Sequence, residues 1–311
     1  MCRKTEDSIL VLSLVLSIVL SLFSCKPGKP AEGDTKADYS IFYPDTISSQ
    51  EFSENSISFT KDEDYLFITR TKDWNNQSGY LSKRVNGKYA TAQPIKPLDT
   101  IYNGAISPSG NRIIFCKKEN QKEEIYLLSK QDDSWCCIEN LSDTSNIYGG
   151  YFDWVSDEEL YFYSPFNNGD ILQARLNNGL LTIIDSLQTL NTEKGTEFSP
   201  FVDYENNYLI FTRYLEGAIS QQGFFVSFYT SNDIKATWSM PQKISFLSYG
   251  WNPAINKTES LFLYTDGDDI IKIPLERFYS EINKLKKTSA SEKLISQSPE
   301  DGESDRRKHQ N

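Results

Sequence analysis

The stretch AISPSGNRIIFCK (105–117) reads as a short apolar strand, a polar turn and a second, almost continuously apolar strand. Pro108-Ser109-Gly110-Asn111 places Pro and Gly where a tight turn takes them. The residues from Arg112 to Lys117 have the character of a strand packed on both faces. The same frame returns as SFTKDEDYLFITR (58–70), FDWVSDEELYFYS (152–164), FVDYENNYLIFTR (201–213) and PAINKTESLFLYT (253–265). One strand position falls at Ile68, Phe115, Phe162, Phe211 and Leu263, in steps of 47, 47, 49 and 52 residues. A repeated unit of this length, holding several short strands, describes a β-propeller with one blade per repeat. The expected fold is all-β, with five blades and six as the alternative.

Outward from that core, the second repeat continues with a charged loop (118–122), a third strand (124–129) and an outer strand (135–141). The third repeat follows suit with strands at 151–154, 159–164, 170–175 and 180–187. The fourth carries an insertion around Gly217 to Gly223 and an outer strand at 238–244. The fifth supplies only three strands, at 251–255, 260–265 and 269–273, and so lacks its outer one. Tyr-Ser-Ile-Phe-Tyr (39–43), stopped by Pro44, is expected to fill that place, pairing beside 269–273 and removing an exposed sheet edge. After Pro274, Leu275, Phe278, Ile282 and Leu285 recur at helical spacing, which predicts a short helix closing a domain of residues 39–287. Residues 288–311 lack an apolar pattern and are expected to be a disordered polar tail.

The fragment AISPSGNRIIF (105–115) resembles the consensus of the WD40-like PD40 repeats of the TolB β-propeller family, in which Pro-Asp-Gly separates two strands and the second ends in an aromatic. Ser109 stands in place of the Asp, and the other four copies keep the hydrophobic frame without that turn. YLSKRVNGKYATAQPI (80–95) is similar to the third and fourth strands of the same family. The resemblance covers about residues 50–280. It implies a bacterial, exported propeller. The motif contains no catalytic residue, so it assigns none here.

Residues 8–24 form a 17-residue uncharged stretch after Arg3 and Lys4, a pattern that predicts a secretory signal over residues 1–24. Leu22-Phe23-Ser24-Cys25 resembles a bacterial lipobox, which implies cleavage before Cys25 and its acylation, with palmitate among the chains. An uncleaved anchor is the alternative. Residues 25–38, rich in Pro, Gly, Ala and charge, are expected to be a flexible tether. Lys26 after the cysteine implies, by resemblance to lipoprotein sorting rules, the outer membrane. The partner expected at this end is the membrane itself, reached through lipid on Cys25.

A net charge of −11 argues against nucleic acid or anionic headgroups as partners, since both attract clusters of Lys and Arg. Among the remaining cysteines, Cys116 is expected on a second strand and Cys136 and Cys137 on a fourth. Two strand spacings put them about 10 Å apart, beyond the roughly 7 Å a disulfide tolerates between Cα atoms. All three are expected to be small, buried or half-buried strand residues. The single histidine, His309, lies in the polar tail, which removes Ser-His-Asp and Cys-His catalysis and histidine-ligated zinc. No motif calls for a cofactor or a metal; Asp266-Gly267-Asp268-Asp269 is read as a turn between strands rather than a calcium loop.

The starts of the innermost strands pair aromatics with glycine or amides, notably at Asn103, Tyr151, Trp251 and Asn252. Aromatic faces beside amide groups suit a sugar or a peptide. The competing reading makes these residues fillers between blades. A different function class would use carboxylates across a glycosidic bond, for which Asp153, Glu197 and Asp203 are the candidates on or near inner strands. The expectation is therefore a non-enzymatic, lipid-anchored envelope module that binds a protein or a glycan, with a carbohydrate-active enzyme as the alternative.

Overall fold

The computed structural model describes residues 39–296, apart from 74, 75, 120, 233 and 234. The signal segment, Cys25, the tether and His309 lie outside the described residues. Five antiparallel sheets stand side by side, four of them each made by one sequence repeat and the fifth completed by a strand from the other end of the chain. Blade one consists of Ser53–Phe59, Tyr65–Thr71, Gln77–Val85 and two short outer pieces, Lys88–Tyr89 and Gln93–Pro94. Blade two is Tyr102–Ile106, Arg112–Glu119, Lys122–Gln131 and Ser134–Asn140. Blade three is Gly150–Trp154, Glu159–Ser164, Asp170–Asn177 and Leu180–Asp185. Blade four runs Thr196–Asp203, Tyr208–Tyr214 and Gly223–Asn232. Its outer edge is broken at Pro241, which cannot donate to a ladder, into Lys235–Trp238 and Gln242–Lys243. The inner strands pack against one another in order, and the fifth meets the first. The fold is a five-bladed β-propeller.

The repeated strand position explains the packing. Ile68, Phe115, Phe162, Phe211 and Leu263 are all completely buried, because each second strand lies between two sheets and its side chains have apolar neighbours on both faces. Blade five is completed from the other end of the chain. Trp251–Asn256, Leu261–Thr265 and Ile270–Pro274 receive Ser40–Ile41 as outer strand, with Ser40 opposite Lys272 and Ile41 opposite Ile271. The Phe42 amide then donates to the Ile270 carbonyl at 2.8 Å, and the Phe42 ring is fully buried in the seam between blades five and one. At the far end of that seam, the Glu63 carboxylate accepts from the amides of Lys257 (2.5 Å) and Thr258 (2.9 Å).

Two expectations need correction. The helix runs Leu275–Ser296, nine residues past the boundary expected at 287. Residues 288–296 contain neither Pro nor Gly and include Ala290, Glu292, Lys293 and Leu294, so nothing stops a helix already nucleated on the protein from propagating. It docks through Phe278, whose ring stacks on Phe262 with centroids 3.8 Å apart and planes 4° from parallel. The charged segment 118–122, expected as a loop, is an extension of the hairpin, with Lys118 opposite Glu123 and Glu119 opposite Lys122. Opposite charges across a strand pair support that extension.

Candidate binding site at the channel mouth

Every inner strand carries a β-bulge near its start, where the ladder to the second strand skips one residue. A bulge re-aims side chains and raises the local twist. The residues at these bulges are Asn55, Asn103, Tyr151, Ser199 and Asn252, spaced 48, 48, 48 and 53 residues apart. Four of them are left-handed, with φ of 38° at Asn103, 55° at Tyr151, 52° at Ser199 and 49° at Asn252. That conformation costs an L-residue roughly 1–2 kcal/mol, and a tyrosine there is a genuine outlier. Glycines let the strands come this close. A Cβ at Gly149 would lie 2.0 Å from the Tyr163 carbonyl oxygen, and one at Gly250 would lie 2.4 Å from that of Thr265.

The ring is knitted from blade to blade. Asn252 Nδ2 donates to the Asn55 carbonyl at 2.6 Å and Trp251 Nε1 donates to the same oxygen at 3.0 Å. Burial raises the Tyr151 pKa, with the Asn103 side chain pulling the other way, and the Tyr151 ring lies 5.0 Å from that of Phe198. All four residues expected at a binding site thus come together at one level, where the inner strands begin. Asn55 and Ser199 complete the level and are not evident from composition. Both amide atoms of Asn55 and the hydroxyl of Ser199 are buried without a hydrogen-bond partner among the described residues. Unpaired buried polar atoms are costly.

Glu123 was also not anticipated. It lies on the third strand of blade two, and its backbone carbonyl accepts from Gly149 at 2.9 Å, just ahead of Tyr151. Its carboxylate makes no hydrogen bond or ion pair with any described residue. Burial raises its pKa, with Lys118 pulling the other way, and its charge is felt by Tyr102, Tyr151 and Tyr163. On the same face of the propeller, the loops after the second strands of blades three and four expose Phe166 (72 %) and Ile219 (83 %).

The three carboxylates considered for hydrolysis are placed otherwise. Glu197 is fully buried. It pairs with Arg213 at 2.6 Å and accepts from the Thr192 amide (3.1 Å) and hydroxyl (2.9 Å). Asp203 ends the same strand, six residues on, or roughly 20 Å away at about 3.3 Å per residue. It accepts from the Asn206 amide (3.0 Å) and from Tyr208 Oη (3.1 Å) in the core shared with the C-terminal helix. Asp153 accepts from the Val202 amide at 2.8 Å, and Val202 faces the core between blades three and four. Burial, with Asp203 adding to it, pushes Asp153 up to about 7. Glu197 therefore stands at the opposite end of the channel from the two aspartates, which serve different blade interfaces.

The cysteines correct a further expectation. Cys116 is buried and donates to the Tyr102 carbonyl at 3.0 Å, but Cys136 and Cys137 are exposed free thiols. Blade two's outer strand has no sheet beyond it, so nothing covers them.

No protein-family model matches the chain, and no curated protein matches it. Among solved structures it is similar to TolB from Acinetobacter baumannii, with 13 % identity and a TM-score of 0.46 over 72 % of this chain and 54 % of that one. It is also similar to a protein described as TolB from Agrobacterium tumefaciens, at 14 % identity and a TM-score of 0.45 over 70 % and 72 % of the two chains. A third is XC5397 from Xanthomonas campestris, described as a gluconolactonase, at 11 % identity and a TM-score of 0.41 over 74 % and 88 %. The chain thus spans about half the length of the first of these. Likeness at this level is one of architecture.

Proposed function

We propose that this chain is a non-enzymatic binding module of the bacterial cell envelope, exported on residues 1–24 and held at the outer membrane by lipid on Cys25. Its ligand is a protein or glycan segment taken at the mouth where the inner strands begin. The observation that carries this reading is the ring of five bulges, four of them left-handed, with the Asn55 amide and the Ser199 hydroxyl left unpartnered within it. Strained backbone and unpaired polar groups persist where binding uses them. The surrounding aromatics offer faces for stacking, and Glu123 adds a negative charge that favours a ligand carrying an amine. Among the described residues no helix is long and apolar enough to cross a membrane, and attachment in this reading rests on the amino-terminal lipid.

The test is capture from the organism's own envelope extract by the protein lacking residues 1–24, compared with Tyr151→Ala and Glu123→Gln. Binding at the mouth predicts that both substitutions reduce capture of the same species at least tenfold, while the melting temperature of Glu123→Gln stays unchanged. Capture unaffected by either substitution, or turnover of a glycan by the purified protein, would overturn it.

A further inference from the structure

On the rim of blade two, away from the channel, the outer strand Ser134–Asn140 is irregular. Trp135 pairs with Lys130 and Cys137 with Ser129, so Cys136 is the extra residue of a bulge. In a regular strand, residues 136 and 137 would point to opposite faces. The bulge removes that alternation and brings the two sulfurs to 3.0 Å from each other, both beside the Gln131 side-chain oxygen at 3.9 and 3.6 Å. Both residues are exposed. Two accessible thiols at this separation are set up for thiol–disulfide exchange.

We propose that Cys136 and Cys137 form a reversible redox site that reacts with low-molecular-weight disulfides. One thiolate attacks a sulfur of the small disulfide, breaking its S–S bond, forming a mixed disulfide and releasing one small thiolate. The neighbouring thiolate then attacks the protein sulfur of that mixed disulfide and expels the second small thiolate. The two cysteine protons end on the departing thiols. The protein is oxidised by two electrons to a vicinal disulfide, and the small disulfide is reduced to two thiols. Adjacent Cα atoms lie about 3.8 Å apart, shorter than the roughly 4.4–6.8 Å usual for a disulfide. The product is therefore strained, and strained disulfides are the easily reduced ones. That makes the site reversible rather than a structural brace. Cys116 is excluded from it by burial, which also raises its pKa.

The experiment incubates the full chain, purified in detergent, with oxidised glutathione and maps the products by peptide mass. The wild type is expected to lose two hydrogens from the peptide holding both cysteines and to carry no lasting glutathione there. Cys136→Ser and Cys137→Ser should each keep a stable glutathione adduct on the remaining cysteine, and a mild thiol should restore the wild-type dithiol. A wild type that keeps glutathione on either residue as the singly substituted chains do, or that fails to react while the single variants are modified, would overturn the proposal. So would an internal bond that the mild thiol cannot reopen. Melting temperatures of the two variants should match the wild type, since both side chains are exposed.

Discussion

Glu197 and Arg213 face each other across the first two strands of blade four at 2.6 Å, and the pair locks down the chain arriving from blade three. Arg213 Nη2 donates to the Leu190 carbonyl at 2.9 Å while its guanidinium lies over the Phe225 ring, 4.5 Å from the centroid. Blade one repeats the device. Glu54 and Arg70 meet at 3.0 Å, Arg70 donates to the Ile47 carbonyl at 2.6 Å, and its guanidinium lies 4.9 Å from the Tyr80 centroid. Glu54 accepts from the Ser49 amide much as Glu197 accepts from Thr192. The two acids are thus equivalent latches, and the second is explained without chemistry on a substrate.

Glu197→Gln should therefore cost stability. Removing one partner of a buried pair leaves the other charge uncompensated, typically about 3–5 kcal/mol, with the lower end expected because Arg213 is 15 % exposed. The double variant Glu197→Gln, Arg213→Met should recover part of the loss. Urea unfolding of the three proteins checks this, and a single variant within about 0.5 kcal/mol of wild type would contradict it.

Removal of residues 1–46 should open the seam. The cut deletes the hydrogen bonds from the outer strand to the third strand of blade five, at about 1 kcal/mol each. It also deletes the buried Phe42 ring, which in a Phe→Ala change alone is worth about 3–5 kcal/mol. A chain beginning at residue 39 is the control. Thermal unfolding should show the shorter protein melting well below the control.

Asp153 sets a pH dependence. Its carboxyl is raised from 3.8 to about 7 in the folded protein, chiefly by burial. Folding therefore favours the protonated form. The stability this group contributes is complete below about pH 4 and is lost as pH rises through about 7. Asp153→Asn keeps an acceptor for the Val202 amide and does not titrate. The variant should flatten the stability profile over that window and be more stable than wild type at pH 8, by on the order of 1 kcal/mol once screening at this partly exposed side chain is allowed for. Chemical denaturation at several pH values would show it, and parallel profiles for the two proteins would refute it.

Phe278→Ala should detach the C-terminal helix from its seat on Phe262. The ring is completely buried and in flat contact, so about 3–5 kcal/mol is expected. The helical signal in circular dichroism should melt before the β signal in the variant and together with it in the wild type.

The blades and their closure are legible in the chain because burial on both faces forces an apolar run at each second strand, and Tyr39 to Tyr43 carries the same character at the one place a strand is missing. The latches also leave a trace. Glu54 and Arg70 are 16 residues apart, as are Glu197 and Arg213, a spacing that only becomes meaningful once a hairpin is known to join them. The bulge ring is harder to see. Asn103, Tyr151 and Asn252 stand out through their aromatic and amide character, whereas Asn55 and Ser199 are ordinary polar residues whose common level depends on backbone conformation. Their near-constant spacing is the only advance signal. The exposed thiols and the extra helical turns were missed because one depends on an irregular register and the other on docking that begins upstream.

The outer strand of blade five has a mechanical consequence. Any tension transmitted along the chain ahead of Tyr39 enters the propeller at Ser40–Ile41, so the bonds to Lys272, Ile271 and Ile270 carry the load first. Every other blade is built from one continuous piece of chain and is shielded by that short strand. A molecule pulled from its amino-terminal end should therefore yield at the joint between blades five and one, in a small first rupture that bares the edge of Ile270–Pro274 before the remaining blades give way.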